Sequence, residues 1–156
     1  MTVYLVRHAV ALSRKAWKGD DDDVRPLTPK GQRQAAGLAD LLRGAPVRRV
    51  QSSPALRCVE TVRPLAEKLG VRVETTDMLL EGAPVEKAYE LLTKVARKKG
   101  DSVLCAHGDL IPELIETVAR DGAKTGRVRY SKGSIWKLDW GHGHFRSAAY
   151  VPPQSG

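Results

Sequence analysis

The chain opens on a continuous apolar run, Val3-Tyr4-Leu5-Val6, that stops at Arg7-His8. A short run without alternation, closed by charge, predicts a strand buried on both faces. Residues 13–25 are polar and hold four consecutive aspartates, Asp20 to Asp23, a pattern that predicts a solvated loop. Thr28-Pro29 then supplies a helix cap and a first-turn proline. Ala35, Leu38, Ala39, Leu41 and Leu42 recur on one helical face, and Gly44 ends the helix. Val47–Ser52 is a second strand, and Ser53-Pro54 repeats the cap-plus-proline start of a helix running to about Gly70. A third strand is expected over Val71–Thr75, a third helix over Val85–Lys99 and a fourth strand over Ser102–Ala106. Leu110–Arg120 is a fourth helix, with Asp109 placed to cap it and Asp121-Gly122 to close it. Ser134–Trp140 and His144–Val151, joined by Gly141-His142-Gly143, have the spacing of a hairpin.

Strands that alternate with helices predict an α/β fold, a three-layer sandwich with a mostly parallel central sheet flanked by helices. The 156 residues hold no visible linker or repeat, so one domain over 1–151 is expected, followed by a loose tail over 152–156. No apolar run is long enough to span a membrane, and the first apolar run is too short for a signal-peptide core. Two cysteines, Cys58 and Cys105, make no disulfide framework and carry no zinc spacing, so a cytoplasmic protein with reduced thiols is expected. A monomer is the default expectation.

Charge narrows the partners. Lys and Arg number 26 against 18 Asp and Glu, a net charge of +8 that attracts anions. Nucleic acid is disfavoured as the main partner, because aromatics are only 5% and the basic residues fall in separate segments. A phosphate-bearing ligand fits better. In open α/β sheets ligands bind beyond the carboxyl ends of the strands. Three such ends carry Arg7-His8, then Ser52-Ser53-Pro54-Ala55-Leu56-Arg57, then Ala106-His107-Gly108. Arginine forks grip phosphate oxygens in pairs, and the N-terminus of the helix bearing Arg57 adds free N–H groups. A neutral imidazole in that setting can attack phosphorus, and a second can support charge on the phosphoryl oxygens. No cofactor and no metal is required for either step.

These segments carry a resemblance. Leu5-Val6-Arg7-His8-Ala9 resembles the Arg-His-Gly box of the histidine phosphatase superfamily, which also contains the cofactor-dependent phosphoglycerate mutases. Ser52 to Thr61 resembles its second motif and Val103 to Gly108 its third. The resemblance implies a phosphoglycerate mutase-like fold, with His8 as phosphoacceptor, Arg7 and Arg57 as phosphoryl ligands and His107 completing the pocket. The short chain and Arg25-Pro26-Leu27-Thr28-Pro29-Lys30-Gly31 resemble the small SixA-type phosphohistidine phosphatases, which implies that Arg25 also faces the phosphate. Ser53 is a further candidate contact. Two departures stand out. Ala9 replaces the glycine of the first box, and the segment from Asp121 to Trp136 looks more like phosphatase-like domains attached to some Nudix hydrolases. That second departure brings in Lys132 and Arg129 as secondary phosphate contacts.

A leaving alkoxide needs a proton, whereas a leaving imidazole needs less help, so a carboxylate at the site bears on the substrate. Glu81 sits where the broader family places one. The expected activity is that of a metal-independent phosphatase with a phosphohistidine intermediate. A phosphohistidine-bearing protein is the first expected substrate, and a nucleotide or other small phosphate ester the second. Glu81 and the basic segment from Arg127 to Lys132 favour the second. A non-catalytic module that binds a phosphorylated partner is the alternative of another class.

Overall fold

A computed structural model describes residues 1–154. Seven strands form one sheet in the order β3-β2-β4-β1-β6-β7-β5. The strands are β1 (Thr2–Arg7), β2 (Val47–Ser52), β3 (Val73–Thr75), β4 (Asp101–Ala106), β5 (Lys124–Thr125), β6 (Ile135–Gly141) and β7 (His144–Val151). The helices are α1 (Pro29–Leu42), α2 (Leu56–Leu69), α3 (Val85–Ala96) and α4 (Leu110–Arg120). β1, β2, β3 and β4 run parallel, while β6 pairs antiparallel with β1 and β7 with β6.

The period of two along each strand divides the apolar residues between two cores. Val3, Leu5, Leu104 and Ala106 pack with Leu91, Leu92, Leu110, Ile111 and Leu114 of α3 and α4. Val6, Val103 and Cys105 pack on the other face with Leu38, Leu42, Val62 and Leu65 of α1 and α2. The result is the three-layer sandwich expected from the sequence. β4 is buried at every position, which explains why its sequence shows no polar alternation.

Several boundaries moved. Thr28 caps α1 as expected, its hydroxyl accepting from the Gly31 N–H at 3.1 Å. α2 begins at Leu56 after an Ala55 cap that makes no side-chain bond, so Ser53 is not its N-cap. α3 ends at Ala96 rather than Lys99, and β3 starts at Val73 rather than Val71. The two-residue β5 gave no periodic signal and pairs parallel with β7. The hairpin turns through His142 (φ 56°) and Gly143 (φ 82°), both left-handed as a two-residue turn requires. Of the expected tail, Gln154 is half-buried against Gly37 of α1, and Ser155 and Gly156 lie outside the described residues.

Candidate active site

Because β1, β4 and β2 are parallel neighbours, the residues after them emerge at one edge of the sheet. The His8 N–H donates to the Ala106 carbonyl at 3.1 Å, and the Ser53 N–H to the Cys105 carbonyl at 3.0 Å. These two bonds extend the ladder past the strands and set His8, Ser53 and His107 side by side. The His8 and His107 rings lie 5.4 Å apart, centroid to centroid, at 63°. Thr61 ties the first two motifs together. Its hydroxyl accepts from the Ala9 N–H at 2.9 Å and donates to the Arg57 carbonyl at 2.7 Å. The four-residue spacing from Arg57 to Thr61 is thus one turn of α2 put to use.

The protonation of His8 follows from its partner. Nδ1 lies 2.8 Å from the Ala9 carbonyl, which can only accept, so Nδ1 carries the hydrogen. Nε2 is left with its lone pair. Burial lowers the His8 pKa to about 3; the Ala9 bond opposes this, and the neighbouring His107, Arg57 and Arg7 add to it. His8 is therefore neutral at neutral pH, with its free nitrogen ready to form a bond.

His107 is held in the opposite sense. Arg57 Nη2, which can only donate, approaches Nδ1 at 3.4 Å, and Nε2 lies 2.8 Å from Ser53 Oγ. Nε2 is then the protonated nitrogen, donating to Ser53. The same nitrogen is 3.5 Å from Cys58 Sγ. Burial alone would raise the Cys58 thiol, but Cys105, His107 and the charge of Arg57 draw it below its ordinary value. Cys58 therefore contacts a site imidazole besides packing in the core.

Two arginines frame the histidines. Arg57 is 1% exposed and donates from Nη1 to the Asp22 carbonyl at 3.0 Å. Arg7 donates from Nη1 to the Tyr130 carbonyl at 2.6 Å and lies 5.5 Å from the centre of the Tyr130 ring. Burial lowers the Arg7 pKa, against the pull of Tyr130, Asp109 and Glu81. The Nε of each arginine is buried without a hydrogen-bond partner among the described residues. Paired donors of this kind are satisfied by an oxyanion. Gly108 leaves the room Arg7 needs: a Cβ there would stand 2.5 Å from the Arg7 guanidinium carbon.

Asp20, Asp21 and Asp23 are exposed, as a solvated loop requires, but Asp22 turns inward to the site. Residues 22–24 form a single 3-10 turn, and the Asp22 carboxylate reaches Arg25 Nε at 3.0 Å, Arg57 Nη2 at 3.4 Å and Arg14 Nε at 3.4 Å. Partial burial alone would raise the Asp22 carboxyl, but the Arg25 bond and the charges of Arg25, Arg57 and Arg14 hold it below the usual carboxylate range. The hydrophobic pattern gave no sign of this contact. The proximity of the run to Arg25 in the chain was the only available hint. Arg25 itself is buried, with Nη1 donating to the Leu12 carbonyl.

Glu81 lies at the same mouth, 4.0 Å from Arg57 Nη2 and 3.2 Å from Arg14 Nη2. Asp109 fixes that loop. It occupies the first position before α4 without capping it, and its carboxylate instead accepts from the Gly82 N–H at 2.7 Å. Lys132 is the outlier. Its carbonyl accepts from Gln34 Nε2 at 3.4 Å, but its side chain is exposed and forms no hydrogen bond or ion pair among the described residues. The neighbouring Gly133 N–H does reach the Arg7 and His8 carbonyls, at 3.2 and 3.0 Å. No group of three or more His, Cys, Asp or Glu with metal-site proximity occurs among the described residues. No helix there is long and apolar enough to cross a membrane.

Arg7 also lines a cleft of about 840 Å³. Arg127, Arg129, Tyr130 and Tyr150 line it, with Trp136 among its walls. The Trp136 indole N–H is held by the Arg129 carbonyl at 2.8 Å.

Three comparisons agree with this architecture. The 8-oxo-(d)GTP phosphatase of Mycolicibacterium smegmatis is 33% identical over 156 residues, covering 97% of this chain and 48% of the relative. The chain thus spans about half the length of that relative. The protein histidine phosphatase SixA, solved with tungstate, superposes with a TM-score of 0.77 at 21% identity, over 99% of this chain and 97% of that one. A mycobacterial glucosyl-3-phosphoglycerate phosphatase, solved with VO3, gives 0.71 at 17% identity, over 99% of each chain. The structural likenesses show the fold. The sequence profile of the histidine phosphatase superfamily (branch 1) matches residues 3–83, a span holding Arg7, His8, Arg57 and Glu81, and the chain belongs to that superfamily.

Proposed function

We propose that this chain is a metal-independent phosphatase in which His8 Nε2 attacks the substrate phosphorus. The observation that carries the reading is the state of His8: neutral, with Nδ1–H fixed on the Ala9 carbonyl and Nε2 free, beside the half-buried Arg7, the buried Arg57 and a second histidine. In the first half-reaction the phosphorus–oxygen bond of the substrate breaks as the phosphorus–Nε2 bond forms. Arg7 and Arg57 hold the phosphoryl oxygens, while His107, with Nε2–H on Ser53 Oγ and Nδ1 facing Arg57, closes the wall of the pocket. Glu81 hands a proton to the leaving oxygen. In the second half-reaction Glu81 takes a proton from a water that attacks the phosphohistidine, releasing inorganic phosphate and restoring His8. Arg25 acts through Asp22, and Lys132 stands at the rim as an outer contact.

The substrate follows from the two features that distinguished the alternatives. Glu81 beside Arg57 suits a leaving group that needs a proton. The basic segment from Arg127 lines a cleft that shares Arg7. Both favour a nucleotide or other small phosphate ester over a protein phosphohistidine, and the relative from Mycolicibacterium smegmatis bears the name of a nucleotide phosphatase. The two buried free thiols suit the reducing cytoplasm.

The test is phosphate release from p-nitrophenyl phosphate, a nucleotide panel and a phosphohistidine-bearing protein domain, with His8→Ala beside the wild type. The reading expects release from the small esters, lost in His8→Ala, and a larger fall in Glu81→Gln for poor leaving groups than for p-nitrophenolate. Activity that survives His8→Ala overturns the mechanism. Release from the protein alone overturns the substrate choice.

A further inference from the structure

The cleft beside Arg7 is not used by the phosphoryl-transfer step. Its size falls within the roughly 300–1,000 Å³ of small-molecule sites. Its lining contains Arg7, Arg127 and Arg129 and no acidic residue, so it is a concentrated cationic surface. It also presents aromatic faces. Tyr130 is 43% exposed, and the Arg129 guanidinium lies 4.9 Å from the centre of the Tyr150 ring. A guanidinium beside a ring is a surface on which a second flat π-system stacks while its anionic group meets the charge.

Arg7 belongs to both places. It closes β1 next to His8, and its side chain runs past Gly108 to the Tyr130 carbonyl on the cleft wall. A ligand with one phosphoryl group on Arg7 at His8 therefore meets, along the same guanidinium, a cleft whose lining holds no acidic residue. We infer that the cleft is the leaving-group subsite for a nucleoside diphosphate or triphosphate. Arg127 and Arg129 receive the phosphate next to the one transferred, and the exposed Tyr130 face receives the base. This rests on the phosphatase reading above and narrows it; a leaving phosphate departs with little need of a proton, so the choice rests on the cleft and not on Glu81. A nucleoside monophosphate or a bare aryl phosphate has no second phosphate to place there.

The reaction is then hydrolysis of a terminal phosphoanhydride. The bond between the terminal phosphorus and the bridging oxygen breaks, the phosphoryl group passes to His8 and then to water, and the shortened nucleotide leaves with the bridging oxygen.

The experiment measures kcat/KM for GDP, GMP and p-nitrophenyl phosphate in the wild type, Arg129→Gln and Arg127→Gln, with His8→Ala as the control. The Arg129 carbonyl, not its side chain, holds Trp136, so Arg129→Gln leaves that bond in place. Wild type is expected to prefer GDP to GMP. In each variant the ratio of kcat/KM for GDP to that for p-nitrophenyl phosphate is expected to fall about tenfold, the size of one charge-assisted hydrogen bond. An unchanged ratio in both variants, or a wild-type preference for GMP, overturns the subsite while His8-dependent release leaves the phosphatase reading standing. Release of phosphate that does not depend on His8 removes both.

Discussion

Asp22 occupies the surroundings a phosphoryl group needs, and its removal is expected to tighten anion binding. Its carboxylate lies 3.4 Å from Arg57 Nη2 and 3.0 Å from Arg25 Nε. At 3.4 Å one such pair is worth roughly 5 kcal/mol at an effective dielectric of about 20, and roughly 1 kcal/mol in bulk water. The Asp22 side chain is 39% exposed, so the value lies toward the watery end, at about 1–2 kcal/mol. An incoming phosphate must offset that amount to displace the carboxylate from the arginines. Asp22→Asn retains the backbone carbonyl that holds Arg57 Nη1 and removes only the charge. The inhibition constant for inorganic phosphate, measured against p-nitrophenyl phosphate at fixed ionic strength, is expected to fall about 5–30-fold. An unchanged or weaker affinity in Asp22→Asn would refute the reasoning, because Asp22 would then be ordering the arginines for phosphate rather than competing with it.

The other expectations are simpler. A nuclear magnetic resonance titration of the ring should find His8 neutral down to about pH 4, given its pKa of about 3. The linked effect on stability has a definite sign. The folded pKa lies below the unfolded value of about 6.5, so the unfolded chain binds the proton first and stability is lost as pH falls below about 6.5. Urea unfolding at pH 7 and pH 5 should differ by about 2 kcal/mol from this residue, and His8→Asn should remove that share. Thr61→Val leaves the buried Ala9 N–H without its acceptor and should cost about 1–3 kcal/mol, read as a melting point several degrees lower. Gly108→Ala puts a Cβ 2.5 Å from the Arg7 guanidinium carbon and should cut kcat/KM about tenfold or more by moving that side chain.

What could be read in advance divides by distance along the chain. The helices and strands were legible where periodicity and caps are local, as at Thr28-Pro29 and along Leu110–Arg120. The strand-end histidines were legible because parallel topology sends every strand terminus to one edge. Ser53 shows the limit. Its sequence neighbourhood is that of a cap, yet His107, fifty-four residues away, takes the hydroxyl. Asp109 repeats the pattern, leaving its own helix to hold Gly82. Asp22 was hidden for the same reason. A run of like charge looks self-repelling, and only the fold brings Arg14 and Arg57 to join the nearby Arg25 in neutralising one member. The cleft was hinted at by its arginines, but its shape depends on β7 packing beside the segment that follows β5.

The place of β1 in the sheet also sets when activity first appears during folding. Thr2 pairs with Asp139 and Val3 with Ser102, so the strand that delivers His8 is completed by partners from the distant half of the chain. Such long loops close slowly, because their entropy must be offset before the pairing rewards it. Helices α1 and α2, which pack against each other on one face of the sheet, are much nearer neighbours along the chain. A refolding chain will therefore recover helical signal before it recovers turnover, and regained phosphatase activity will report closure of the whole sheet rather than of any single motif.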